Sequence, residues 1–340
     1  MRRMLMLAAA AALAGLVGGT PEALAQKVIK YTHFQPGRAD QPKHAAAEAF
    51  RKHVEEKSGG KLKVQIYPAG QLGNATSVLE GLRLGSIELA VVHDGGISSV
   101  YKPIDVFMMP YLFRDSQVAW AVWDGPFTKE FGEDMLKRTG IRLMAFADNG
   151  IRHFTNSKRP IKTPADLKGL KIRVQPSPVY IKLVESLGAS TSAIDWGELP
   201  AALAQGTVDG QENGVTNILA ASLYQHQKHA TLDGHVYSLH AYLFSDAFWQ
   251  TLTDQEKKIV AEGVDIAKDI HRRMTAEQDN AAKSILESKG MQVTTLTPAE
   301  RDAFRDVAQP PVRAFLEQEF GKERVTRLVE AVEAAQRKTN

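Results

Sequence analysis

The 340-residue chain contains no cysteine. That absence excludes disulfide bonds, thiolate metal sites, a cysteine nucleophile and a lipid anchor attached through cysteine. A packed core must therefore supply the stability of the fold. The chain also lacks an excess of charge of either sign, because 42 lysines and arginines face 39 aspartates and glutamates. This balance argues against a nucleic acid as the partner.

Long hydrophobic runs are missing as well, except near the N-terminus. A basic pair, Arg2-Arg3, precedes the apolar run Met4–Val17, which is shorter than the roughly 20 residues that span a bilayer. The small-x-small pattern Ala23-Leu24-Ala25 follows, as signal peptidase requires. We therefore expect residues 1–25 to be a cleaved signal peptide, with the general secretory route favoured over the twin-arginine route. The mature protein would then be periplasmic and not embedded in a membrane.

Motifs for catalysis and cofactor binding are absent too. The sequence has no Gly-x-Ser-x-Gly elbow, no Gly-x-Gly-x-x-Gly after a strand and no phosphate loop. His226, His229 and His235 are close together in the sequence, but no glutamate motif flanks them as a zinc site would require. We therefore expect no cofactor and no metal. An exported enzyme that uses these three histidines stays as a second hypothesis.

Short β-branched runs alternate with helical patterns along most of the chain. This alternation predicts an α/β fold with a largely parallel sheet, covered by helices on both faces. The predicted strands cover residues 28–31, 62–67, 87–92, 141–147, 151–155, 171–174 and 208–211. The predicted helices cover residues 42–57, 76–84, 178–187 and 198–205. Since roughly 315 mature residues exceed what one core usually organises, we expect two lobes, joined by strands that cross between them.

Two capping boxes mark helices in the last third of the chain. Thr253-Asp254-Gln255-Glu256 starts a helical pattern that nothing breaks before Gly290. This predicts one helix of roughly 35 residues and about 50 Å, long enough to lie across both lobes. The second box, Thr297-Pro298-Ala299-Glu300, starts a polar helical tail.

Arginines and amides follow the predicted strands of the second half. Arg173 lies near the carboxyl end of a strand, where open α/β sheets bind ligands, and its guanidinium can hold a carboxylate through two parallel hydrogen bonds. A salt bridge to an acid such as Asp195 is the structural alternative. Arg152, at the predicted crossover, either adds a second positive contact or is structural.

The segment Asp209–Asn213 places Gln211 and Asn213 just past another strand, as ligand contacts or as turn residues. Glu212 would repel an anion, so we expect it to orient an arginine. Trp196 follows a further strand end, where it forms either an aromatic wall of the site or part of the core.

Three segments together resemble the periplasmic solute-binding subunits of tripartite ATP-independent periplasmic (TRAP) transporters of the DctP type. They are Gly150–His153, Asp166–Val174 and Val208–Asn213, and the resemblance runs from about Val28 to the region of Glu330. It implies a periplasmic-binding-protein architecture of two α/β lobes, with a cleft between them, a long helix that spans both and no chemistry on the ligand. We expect residues 26–150 plus about 239–278 in the first lobe, and 151–238 plus about 279–340 in the second.

The resemblance also implies roles for particular residues. Arg173 matches the main arginine that grips the ligand's carboxylate, Arg152 matches a second arginine and Asn213 an asparagine that helps to hold the same group. Trp196 takes the position of an aromatic residue that lines the pocket. Gln175, which opens a segment Gln175–Pro178 similar to that of members taking small organic acids, and Gln211 are further candidates.

The chain departs from sialic-acid-binding members at His93-Asp94, where those members have a glutamate and a serine. Sialic acid is therefore not the expected ligand. His93, Asp94 and Gln35 are weaker candidates for contacts from the first lobe. We expect a monomer that binds a small organic acid anion with micromolar or tighter affinity, about −8 kcal/mol, and delivers it to TRAP membrane permease subunits. A sensor or adaptor role fits the same residues.

Overall fold

The structure, a computed structural model, describes residues 26–339. The expected signal peptide, residues 1–25, lies outside the described residues. Within them, nine strands form one mixed sheet. They are β1 (Lys27–Thr32), β2 (Leu62–Tyr67), β3 (Leu89–His93), β4 (Ile141–Asn156), β5 (Lys171–Val174), β6 (Ser190–Ala193), β7 (Gly210–Gly214), β8 (His229–Ser245) and β9 (Gln292–Thr295). The order across the sheet is β2-β1-β3-β8-β4-β7-β5-β6, and β9 pairs with β8.

Helices cover the sheet. They are α1 (Pro42–Lys57), α2 (Ala75–Leu84), α3 (Asp94–Ile97), α4 (Ser116–Trp123), α5 (Pro126–Thr139), α6 (Pro178–Ser186), α7 (Leu199–Ala204), α8 (Val215–Ala220), α9 (Asp246–Trp249), α10 (Asp254–Asn280), α11 (Ala282–Ser288), α12 (Pro298–Phe320) and α13 (Lys322–Lys338). Short 3₁₀ helices cover Lys102–Met108, Pro164–Leu167, Trp196–Glu198 and Leu223–Gln225. No helix within residues 26–339 is both long enough and apolar enough to cross a membrane.

The two central strands, β4 and β8, are long and antiparallel to each other. The second half of β8 pairs with β3, whereas the second half of β4 pairs with β7. The two strands therefore connect the β1–β3 side of the sheet to the β5–β7 side, as expected of crossing strands. The predicted break between residues 147 and 151 is wrong, because β4 continues through a register shift between Asp148 and Gly150. Gly150 has a φ of 99° at this point.

The prediction of a largely parallel sheet is correct for the outer strands and wrong for the centre. β1 is parallel to β2 and β3, and β5 is parallel to β6 and β7. β8 runs antiparallel to β3 and β4. The sequence pattern did not predict β8, because most of its residues are buried and it lacks the polar alternation of a half-exposed strand.

Helix α10 starts at its predicted capping box, in which Thr253 and Glu256 satisfy each other's backbone N–H groups. It has 27 residues and packs against α1, β4 and α8, so it crosses from one side of the sheet to the other. The predicted single helix of roughly 35 residues is too long. Ala281 leaves helical geometry with φ −98° and ψ 9°, and α11 follows, with Leu286 buried in a separate apolar core.

The sequence predicted a polar helical tail, but in the structure the C-terminal segment packs against the core. Helix α12 begins at the second capping box, with Thr297 accepting a hydrogen bond from Glu300. It buries Phe304, Val312 and Leu316 in the largest apolar core of the described chain. This segment is therefore part of the packed fold rather than a solvated tail.

Candidate functional site

A buried cavity lies where β3, β4, β5, β7 and β8 contribute residues from both sides of the sheet. Its empty volume, which includes space open to solvent, is about 340 Å³. The lining side chains are Phe34, Gln35, Lys43, His93, Asn149, Arg152, Arg173, Gln175, Trp196, Asn213, Asn217 and His240. Seven of the nine residues predicted to contact a ligand are among them; the other two, Gln211 and Asp94, are not.

Arg173 projects from β5 into this cavity with only 1% of its surface exposed. Its Nε donates to the carbonyl of Ile194 at 2.8 Å, and its buried Nη1 has no hydrogen-bond partner within residues 26–339. The alternative salt bridge to Asp195 does not form, since that carboxylate accepts from Asn74 at 3.2 Å instead. Burial, with a contribution from Arg152, lowers the pKa of Arg173 to about 10. The guanidinium is charged at neutral pH, and its Nη1 can donate hydrogen bonds to a ligand.

Arg152 has a different environment, because Glu212 on β7 neutralises it. The guanidinium donates to Glu212 Oε1 at 2.8 Å and to Asn213 Oδ1 at 3.1 Å, and lies 5.0 Å from the ring centre of Tyr180. Burial alone would raise the pKa of the Glu212 carboxyl, but Arg152 and His235 hold it at about 2. Glu212 thus orients an arginine, as the sequence predicted.

Asn213 lines the cavity and is held by amide contacts. Its Oδ1 accepts from Asn217 Nδ2 at 3.0 Å, and its Nδ2 donates to Gln211 Oε1 at 3.0 Å. Gln211 in turn donates to Thr155 Oγ1 at 2.8 Å. The structure therefore places Gln211 outside the cavity wall, where it fixes the orientation of Asn213.

Two aromatic residues form an apolar part of the wall. Trp196 donates its indole N–H to the carbonyl of Phe34 at 3.3 Å, and both side chains line the cavity. Trp196 is half-buried and also packs on a neighbouring apolar core. It therefore combines the two roles that the sequence left open.

Gln175 lines the cavity, and Asp94 lies next to it without reaching the wall. Gln175 Nε2 is 3.4 Å from Asp94 Oδ1, while Gln175 Oε1 is buried with no hydrogen-bond partner in the described part of the chain. The other carboxylate oxygen of Asp94 accepts from Ser238 Oγ at 2.6 Å and from the N–H of Leu239 at 3.2 Å. These bonds occupy Asp94 within the protein.

His93 of β3 and His240 of β8 pair in register and have opposite hydrogen-bonding roles. His93 Nδ1 accepts from the N–H of Gly96 at 2.9 Å, which requires the proton on Nε2. His240 Nδ1 faces the carbonyl of Asp148 at 3.3 Å, which leaves its Nε2 as an acceptor. Burial, reinforced by Arg173 and Arg152, lowers the pKa of His93 to about 3. His93 is therefore a neutral hydrogen-bond donor.

The sequence did not predict five of the lining residues: Phe34, Lys43, Asn149, Asn217 and His240. Lys43 carries a usable signal, since it is a charged residue in the first turn of a helix, three and four residues before the buried Ala46 and Ala47. Asn217 follows Asn213 by four residues, and the turn from β7 into α8 brings the two side chains together. His240 lies in the strand that the pattern missed.

The three histidines of the enzyme hypothesis do not form a metal site. His235 is buried between two acids, with Nδ1 2.8 Å from Asp233 and Nε2 3.2 Å from Glu212. No group of three or more potential ligands that could hold a metal occurs in residues 26–339.

Comparisons with known proteins give a consistent result. The family model described as bacterial extracellular solute-binding protein, family 7 (DctP) matches residues 35–319. A solute-binding protein from Verminephrobacter eiseniae is 37% identical over 280 residues, which is 82% of this chain and 82% of that protein.

Solved structures agree with the sequence relatives. A TRAP periplasmic solute binding protein from Polaromonas, bound to D-erythronate, has a TM-score of 0.83 and 31% identity, covering 89% of this chain and 98% of that one. Another from Shewanella oneidensis, with bound succinate, has a TM-score of 0.84 and 30% identity, covering 91% of this chain and 100% of that one.

Proposed function

Since the chain belongs to family 7 of the bacterial extracellular solute-binding proteins, we propose that Arg173 holds the carboxylate of a small organic anion in the buried cavity. The protein has the two-lobed α/β fold of TRAP solute-binding subunits. The observation that carries the proposal is the buried Arg173 guanidinium, whose Nη1 has no hydrogen-bond partner among the described residues. Binding of an anion supplies both the missing charge and the missing hydrogen bonds.

The wall of the cavity supports a compact organic acid as the ligand. D-erythronate and succinate, bound by the two solved proteins, share a carboxylate and a short carbon chain. Arg152, whose charge Glu212 balances, and Asn213 are fixed beside Arg173, so a guanidinium and an amide border the position of the same group. Trp196 and Phe34 offer apolar surface for the carbon chain.

The two lobes meet at the register shift of the central strands. We place residues 26–150 plus about 239–278 in the first lobe and 151–238 plus about 279–340 in the second. Gly150 of β4 pairs with Ser238 of β8 next to the register shift between the two strands. Both strands therefore pass from one lobe to the other at the same point. A local irregularity of this kind suits a hinge that opens and closes the cavity.

Export and delivery complete the proposed role. Residues 1–25 serve as a signal peptide that is removed after Ala25, which releases the protein into the periplasm. The closed, loaded form then delivers its organic acid to TRAP permease subunits in the membrane. Because the family consists of solute-binding proteins, the ligand leaves chemically unchanged.

Substitution of Arg173 by lysine tests the proposal. Lysine cannot form two parallel hydrogen bonds to a carboxylate, so affinity for the best acid from a thermal-shift screen should fall by about 100-fold, or ~3 kcal/mol. Isothermal titration calorimetry gives the comparison. The control is Arg83→Lys, at a surface arginine of α2 that pairs with Glu80. Equal affinity in the Arg173 variant and the wild type would remove Arg173 from the site.

A further inference from the structure

A hydrogen bond outside the cavity joins the two proposed lobes. Asn74 Nδ2 donates to Asp195 Oδ2 at 3.2 Å, and neither residue is among those that line the cavity. Asn74 belongs to the first lobe and Asp195 to the second, 121 positions later in the chain. Asn74 is exposed and Asp195 is half-buried, so the bond lies on the solvent side of the lobe interface. We call this pair the rim contact.

Asn74 uses the two ends of its amide for different purposes. Its Oδ1 accepts from the backbone N–H of Ser77 at 3.0 Å and so caps the start of α2. This bond fixes the orientation of the amide, whose Nδ2 group then reaches Asp195. The cap needs only an oxygen, which serine or aspartate would also supply. The contact with the other lobe needs the amide N–H.

Asp195 can take part because it caps no helix. It directly precedes the 3₁₀ helix Trp196–Glu198, a position where aspartate often accepts from the backbone, yet its side chain makes no capping hydrogen bond. The next residue, Trp196, donates to the carbonyl of Phe34 in the first lobe at 3.3 Å. Two consecutive residues of the second lobe therefore bond to the first lobe, Trp196 from the cavity wall and Asp195 from outside it.

We propose that the rim contact stabilises the closed cleft and slows the release of a bound acid, without touching the acid. This inference rests on the proposed function, because it requires an acid held between two lobes. Separation of the lobes breaks the bond between Asn74 and Asp195, so the bond favours the closed form over the open form. An acid enters the open form before the bond exists and leaves only after the bond breaks. The contact should therefore act on the rate of dissociation and leave the rate of association nearly unchanged.

Variants at Asn74 test the proposal, since they can remove the contact and keep the cap of α2. In Asn74→Ser the hydroxyl caps the helix but is too short to reach Asp195, so dissociation should be about threefold faster than in the wild type. In Asn74→Asp a carboxylate caps the helix and faces Asp195, and repulsion should raise the factor to about tenfold at low salt. Added salt should reduce this second effect, because it screens exposed charges.

Stopped-flow tryptophan fluorescence of the full mature protein measures both rates, because Trp196 lines the cavity. Succinate and D-erythronate, which two related proteins bind, are the probes. Each Asn74 variant should speed the dissociation of both probes by the same factor to within about twofold, since the contact does not touch either acid. The ligand-free variants should melt at the wild-type temperature, because the cap of α2 is kept.

Asp195 is less suitable for a single substitution, because its negative charge also acts on the Arg173 guanidinium. It serves instead as the background of a double-mutant cycle. In Asp195→Ala protein, the further change Asn74→Ser should leave the dissociation rate unchanged to within about 1.5-fold, since the partner of Asn74 is already gone.

The possible results separate the two ideas. A wild-type dissociation rate in Asn74→Ser, an equal acceleration in the Asp195→Ala background, or a factor that depends on the probe overturns the rim contact and leaves Arg173 in place. A folded wild type that binds neither probe contradicts the proposed compact acid and this inference together. Faster dissociation of both probes in the two Asn74 variants, with loss of affinity in Arg173→Lys, supports both.

Discussion

At the scale of single residues, two arginines a short distance apart have different tasks because their counterions differ. Arg152 is held by Glu212, which fixes its guanidinium and cancels its charge. In the part of the chain that the structure describes, Arg173 forms no ion pair and its Nη1 has no hydrogen-bond partner. The first arginine is suited to shape the site and the second to take up the ligand's charge.

Glu212→Gln should destabilise the protein by about 3 kcal/mol, because it leaves Arg152 buried without a counterion. Urea unfolding followed by circular dichroism at pH 7 measures the loss. In Glu80→Gln, which removes the surface partner of Arg83, the loss should stay below about 0.5 kcal/mol. Similar losses in the two variants would contradict this account of the buried pair.

Glu212→Gln should also change how the free energy of unfolding depends on pH. The pKa of Glu212 is lowered to about 2 in the folded protein, below its ordinary value of 4.5, mainly because Arg152 offsets the effect of burial. Its contribution is therefore present above pH 4.5 and is lost as the pH falls towards 2. The difference between wild type and variant should shrink from pH 7 to pH 3.

Cavity residues could be predicted from the sequence where they have distinctive chemistry and lie near the end of a recognisable strand. Arg173, Arg152 and Asn213 stand next to recognisable strands, and the structure brings them together. Lys43 and Asn217 meet only because α1 and α8 both pack against α10. Such a contact depends on tertiary geometry, which local patterns do not contain.

At the scale of elements, the crossover in β4 depends on a glycine. Gly150 has a φ of 99°, and a Cβ added there would lie 3.3 Å from both carboxylate oxygens of Asp279. Asp279 Oδ2 also accepts from the N–H of Ile151 at 3.0 Å. The end of α10 is thereby attached to the crossover of the sheet.

Gly150→Ala should lower the free energy of unfolding by at least about 1 kcal/mol more than Gly206→Ala. Gly206 also has a positive φ, 67°, but no atom of residues 26–339 lies within 4 Å of an added Cβ. The difference between the two variants isolates crowding against Asp279 from backbone strain. Urea titrations provide the values, and equal losses would mean that the crossover tolerates a side chain.

Elements with a clear local pattern could be predicted closely, and buried ones could not. The predicted bounds of α1, β2 and β5 agree with the structure, since a proline at the helix start, glycines after the helix and β-branched runs mark them. β8 has little polar alternation to reveal it. No glycine or proline marks the end of α10 at Asn280 in the sequence. The helix ends there because the following segment turns to bury Leu286 in a separate apolar core.

At the scale of the whole molecule, ligand binding and folding should be linked. An acid present at 100 times its dissociation constant should raise the free energy of unfolding by about 2.7 kcal/mol. Because one sheet runs through both lobes, the loaded protein should unfold in a single transition at the higher temperature. Calorimetric scans with and without the acid test this. Two separate transitions, or no shift at saturation, would contradict it.

The shared sheet also sets an order of events for a chain that emerges N-terminus first. Strand β3 ends at His93, yet the neighbour that completes its inner edge, His240–Phe244, follows only after two-thirds of the chain. Until then the backbone edge of β3 is open to pairing with other chains. Newly synthesised copies should therefore depend on holdase chaperones until the last third of the sequence arrives, and truncation before β8 should produce aggregation rather than a stable fragment.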